Sequence, residues 1–166
     1  MRRQIISLAV VSLLALSSVP TVVHAQNVAP YGAAVVNMHK DARGLNTVFD
    51  VNARSADPNK LMPSLNAVVG VAKNVMRETG GKVVFVLHGK EQLAFANKNE
   101  LEYSEIMTKL FELKKQGVEF RFCNNAMKSN GLVPADMNGL VTVIPAGYPE
   151  LALLESQGYK YMFFSY

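Results

Sequence analysis

The chain of 166 residues holds one cysteine, Cys123, in the stretch VEFRFCNNAMKSNG from Val118 to Gly131. The pattern reads as a strand, Val118 to Cys123, that turns at once into a short helix, Asn124 to Asn130, ended by Gly131. A thiol at that junction faces the backbone amides of Asn124, Asn125 and Ala126 and the positive end of the helix dipole, which favour the thiolate. A thiolate is a nucleophile or a sulfur carrier. Arg121 shares the cysteine's strand face and adds positive charge; Lys128 is more distant. His88 closes KVVFVLHG, Lys82 to Gly89. In an open parallel sheet, ligands bind beyond the carboxyl ends of the strands, and both His88 and Cys123 would lie on that rim. Whether they touch depends on strand order. The plainer reading is that the helix covers Cys123 and the thiol is core filler.

Other chemistries lack their residues. There is no CxxC pair for dithiol exchange, and no GxGxxG or phosphate-cradling loop. A zinc site would need Cys123, His39, His88 and a carboxylate drawn from scattered places. No metal and no cofactor is therefore expected. His39 reads as a solvent-exposed side chain. A Cys-His hydrolase pair stays open, without a recognisable third member. The methionines fall singly at core spacing.

The N-terminus predicts export. Arg2 and Arg3 precede an apolar run, Ile5 to Leu16, too short to span a bilayer; Ser17, Ser18 and Pro20 break it, and Val23-His24-Ala25 offers a cleavage site. Residues 1–25 thus read as a signal peptide, and the expected location is the periplasm, with no membrane attachment after cleavage. Of 17 basic residues the signal removes two, leaving 15 against 13 acidic ones, a net charge of +2. That balance, with scattered basic residues, gives no case for nucleic acid. Exported proteins usually carry paired cysteines, so an unpaired one is an inert residue, an intermolecular bridge or a working thiol.

Residues 26–46, with Pro30, Gly32 and Gly44, read as an N-terminal arm, poorly ordered or packed along a neighbour. Thr47 to Val51 is the first strand. A helix follows, opening at Pro58 or afresh at Pro63, and Gly80-Gly81 ends it. Val83 to Leu87 are continuously apolar, as in a strand covered on both faces. Lys90 to Asn99 reads as a loop that leaves room for a helical turn around Leu93 to Ala96. Glu100 to Gln116 carries a helical stripe of Tyr103, Ile106, Met107, Leu110 and Leu113. After the cysteine junction come a strand, Leu140 to Ile144, a helix opened by Pro149, and an aromatic strand, Tyr159 to Tyr166. Alternating strands and helices imply an α/β fold, a three-layer α/β/α domain (residues 47–166) around a mostly parallel five-stranded sheet.

VLHG, the helix ELEYSEIMTKLFELKKQG, VEFRFCNNAMKSNGL and the closing GYKYMFF together resemble the DsrE/DsrF-like family of sulfur-relay proteins over Thr47 to Tyr166. The resemblance implies that Cys123 accepts sulfur as a persulfide and passes it on. It further implies a compact α/β fold, trimers or hexamers of the chain, and donor or acceptor proteins as partners. His88, Arg121, Asn124 and Asn125 are the supporting candidates. Two other readings remain: an oligomeric binding module whose aromatic last strand marks an interface, and a redox sensor forming an intermolecular disulfide.

Overall fold

A computed structural model describes residues 39–165; the signal, most of the arm and Tyr166 lie outside the described residues. The elements are β1 (Thr47–Asn52), α1 (Pro58–Thr79), β2 (Val83–Leu87), α2 (Ser104–Lys115), β3 (Glu119–Cys123), α3 (Asn124–Ser129), β4 (Val141–Ile144), α4 (Gly147–Ser156) and β5 (Lys160–Ser165). Every neighbouring strand pair is parallel, in the order β4-β3-β2-β1-β5. The α/β fold and parallel sheet expected from the sequence are what the chain forms.

Strand order decides where the helices go. From β1 to β4 the chain steps in one direction, and right-handed crossovers place the intervening helices on one face. The return from β4 to β5 runs the opposite way, so α4 must cover the other face. The core divides accordingly. Phe49, Phe85, Phe120 and Phe122 pack with Leu65 of α1, Leu110 of α2 and Met127 of α3. Val48, Val84, Val86 and Ile144 pack with Leu151 and Leu154 of α4. The two sets alternate along each strand, as the pleat requires.

Local chemistry sets the ends. Asp57 caps α1 by accepting from the Asn59 amide at 3.0 Å, so the helix opens at Pro58. Pro63 is carried inside the helix at the loss of one intrahelical hydrogen bond. Gly80 ends it in the left-handed conformation (φ 64). Gly81 serves close approach instead: a Cβ there would lie 2.1 Å from the Leu45 carbonyl oxygen. The chain before β1 is thereby tied down, with the Gly44 amide donating to Thr79 and the Lys82 amide to Asn46. Three places differ from the sequence reading by more than one residue. Residues 90–99, expected as loop with room for one turn around Leu93 to Ala96, form two 3-10 helices, Lys90–Phe95 and Asn97–Asn99, anchored by fully buried Phe95. α2 accordingly starts at Ser104. α4 starts at Gly147, two residues before Pro149, which sits within its first turn. Among the described residues no helix is long and apolar enough to cross a membrane.

Phe85 lies stacked between Phe49 and Phe120, with ring centroids 5.0 and 5.7 Å away. Phe85→Ala is expected to cost about 3–5 kcal/mol of unfolding free energy, read by denaturant titration. A loss under about 1 kcal/mol would show that this stack is not the centre of the core.

Candidate functional site

The carboxyl ends of β1 to β4 and the turns that follow them enclose one cleft of about 640 Å³. Its walls are residues 52–54 after β1, 88–90 after β2, the β3–α3 junction, and residues 146–148 at the start of α4. This is the rim on which His88 and Cys123 were expected, and both line it. Cys123 is 7% exposed, so the thiol is recessed in the cleft rather than standing on an open rim.

The gap between the two is kept by a glycine. A Cβ built on Gly147 would lie 3.5 Å from Cys123 Cβ and 3.6 Å from His88 Nδ1. His88 Nδ1 and the Cys123 Cβ thus border the same point, where Gly147 places no side chain. The other ring nitrogen, Nε2, is hydrogen-bonded to Asp50 Oδ1. Asp50 is buried on the α4 face of β1, and its second oxygen accepts from the Tyr161 hydroxyl of β5 at 2.7 Å. That bond to Asp50, aided by burial, pushes the Tyr161 phenol from 10.0 up to about 12, so it remains a donor. With Nε2–H donated to the carboxylate, a neutral ring keeps Nδ1 as its basic nitrogen, on the side that faces Gly147. Tyr148 meets the His88 ring edge-on, centroids 5.2 Å apart. Itself exposed, it leaves the His88 side chain only 8% accessible.

A buried amide and carboxyl set holds the turns. Gln92 donates to the carbonyls of Leu87 (2.9 Å) and Cys123 (3.3 Å), joining the ends of β2 and β3. Asn130 donates to Gln92 and to the Gly89 carbonyl and accepts from Lys90 Nζ at 2.8 Å. Glu91 accepts the Ala53 and Gly89 amides, each at 2.7 Å. Burial pushes its carboxyl from 4.5 up to about 7, against the pull of those amides.

The other supporting candidates separate. Asn125 lines the cleft. The Asn124 side-chain oxygen is shielded and has no hydrogen-bond partner among the described residues. Arg121 does not line the cleft; its guanidinium is held by Glu119 (2.6 Å) and Glu150. Asp50, Gly147, Lys90 and Arg54 were not singled out from the sequence. For Asp50 the only signal was one charge on the inward face of an apolar strand. Among the described residues no three His, Cys, Asp or Glu side chains form a metal-holding group.

Residues 69–164 match the family described as DsrE/DsrF-like, and the chain belongs to that family. Its fold is similar to that of a protein of unknown function, MTH1491, from Methanobacterium thermoautotrophicum, with a TM-score of 0.58 and 20% identity over 72% of this chain and 98% of that one. It is also similar to the ychN protein of E. coli, with a TM-score of 0.51 and 11% identity over 74% and 100%. Comparison with curated proteins gives no match.

Two predictions follow from this geometry. Gly147→Ala should leave the fold intact, since its Cβ meets only ordinary contacts, yet set a methyl between Cys123 and His88. Cys123 alkylation should slow by about tenfold or more; an unchanged rate with intact secondary structure would contradict the shared position. Glu91 holds its proton to higher pH in the folded chain than in the unfolded one. Its contribution to stability is therefore complete below about pH 4.5 and lost as pH rises to about 7. The stability difference between wild type and Glu91→Gln should shrink over that window, by at most about 3 kcal/mol. A pH-independent difference would contradict it.

Proposed function

We propose that this DsrE/DsrF-like protein handles sulfur by carrying it as a persulfide on Cys123, and that it works in the periplasm after removal of residues 1–25. The observation that supports this most is the approach of Cys123 and His88 Nδ1 to one point over Gly147, with Asp50 on the far ring nitrogen. His88 takes the thiol proton at Nδ1. The thiolate attacks the outer sulfur of a donor R–S–S⁻, a bond forms between the two sulfurs, and the donor's S–S bond breaks. RS⁻ leaves with the electron pair, so no oxidant is consumed. The same displacement by an acceptor thiolate hands the sulfur on. Asp50 is a positioning residue that fixes the ring and its tautomer.

Incubation with a sulfane-sulfur donor should add one sulfur to the intact mass of wild type and none to Cys123→Ser. His88→Ala should slow the gain about a hundredfold, and Asp50→Asn should slow it about tenfold while moving its pH profile upward. Equal sulfur gain by Cys123→Ser would sink the proposal.

A non-catalytic oligomeric binding module is favoured by a different observation. β5 is an edge strand on which Tyr161, Met162 and Phe163 are exposed, covering both faces of the sheet. Such an edge suits burial against further copies of the chain, as a trimer or hexamer. Light scattering should give a mass above the monomer's, and Phe163→Glu should lower it. A wild-type monomer at micromolar concentration would remove this reading.

A further inference from the structure

Lys90 and Arg54 line the cleft that holds Cys123, and among the described residues no Asp or Glu does. Neither cation has a carboxylate partner among the described residues. Glu91, the nearest acid in sequence to Lys90, is fully buried and turned onto the amides of Ala53 and Gly89. Lys90 is also not a swinging surface lysine. Its ammonium donates to Asn130, Asn130 is fastened to the Gly89 carbonyl and to Gln92, and fully buried Gln92 reaches the carbonyl of Cys123 itself. The chain has thus fixed a cation in the same cleft as Cys123, with no carboxylate on it among the described residues. Three N–H donors on an ammonium and one used on Asn130 leave two for a ligand. A half-buried cation without a counter-charge attracts anions more strongly than an open one.

We infer that the cleft is an anion site for small sulfane-sulfur donors of the thiosulfate or thiosulfonate class. Lys90 and Arg54 hold the oxyanion while the outer sulfur reaches Cys123. This rests on the reading of Cys123 as a sulfur acceptor. The thiolate attacks the outer sulfur of S–SO₃²⁻, a Cys–S–S⁻ persulfide forms, the donor S–S bond breaks, and sulfite leaves with the electron pair. The proton of the thiol goes to His88. Electrons balance without a further reactant. The recessed thiol suits a slim anion, whose charge the cleft then selects.

Two alkylating agents of nearly equal size separate charge selection from thiol reactivity. In the purified protein, the ratio of Cys123 rates with iodoacetate and iodoacetamide should exceed that of 2-mercaptoethanol about fivefold. Lys90→Gln with Arg54→Gln should bring it down to the small-thiol value, and Lys90→Arg should largely retain it. Lys128→Gln, which removes one charge outside the cleft, should leave it unchanged. Thiosulfate should compete with iodoacetate and add one sulfur by intact mass. A ratio equal to that of the small thiol, or one insensitive to Lys90 and Arg54, overturns the anion site. Sulfur gain from an organic persulfide R–S–S⁻ but not from thiosulfate overturns the donor class. Selectivity without sulfur gain from either donor overturns the carrier reading and supports the anion site alone.

Discussion

A hydrogen bond between Asp50 on one strand and His88 at the end of the next is the contact around which the cleft is built. A carboxylate buried on a strand is expensive unless its oxygens are occupied. Here both are, one by His88 and one by Tyr161. That satisfaction also dictates the free end of the imidazole. The ring nitrogen not used by Asp50 lies on the Gly147 side, where the Cys123 Cβ is also close. Charge satisfaction in the sheet therefore also sets the orientation of the ring that lines the cleft with Cys123.

The strand order makes it possible. β1, β2 and β3 are consecutive neighbours, so Asp50, His88 and Cys123 come from three adjacent strand ends. β5 returns to the far side of β1 and brings Tyr161 to Asp50, while the crossover leading to it starts with Gly147 and Tyr148. The helix that covers the second face thus begins over the site and ends by supplying the strand that completes it. The turns are braced by buried polar groups, Gln92 and Glu91, whose partners are backbone atoms of neighbouring turns.

Much of this frame was legible from local pattern. The apolar run of β2, the stripe of α2 and the glycines that stop each helix carry their meaning within a few residues, and their order implied a parallel sheet. Boundaries that depend on distant packing were not legible. Only a turn around Leu93 to Ala96 was visible locally, whereas the 3-10 turns run from Lys90 to Asn99 around buried Phe95, and α4 starts at Gly147, two residues before its proline. The site divided along the same line. Cys123 and His88 were visible as strand-end residues. Asp50 was hidden in a β-rich run, since its meaning depends on which strands flank β1. Arg121 sat on the correct strand face, but Glu119 and Glu150 occupy it. The cationic side of the cleft is formed by Lys90 and Arg54, which only the fold places together.

The proton state of one ring tests the arrangement most directly. Long-range ¹H–¹⁵N spectra of the His88 imidazole above its titration report which nitrogen carries hydrogen. The expected result is a proton on Nε2, shared with Asp50, and a bare Nδ1 whose resonance moves when Cys123 is replaced by serine. A neutral ring protonated at Nδ1, or one indifferent to both Asp50→Asn and Cys123→Ser, would contradict the coupling of the buried carboxylate to the thiol.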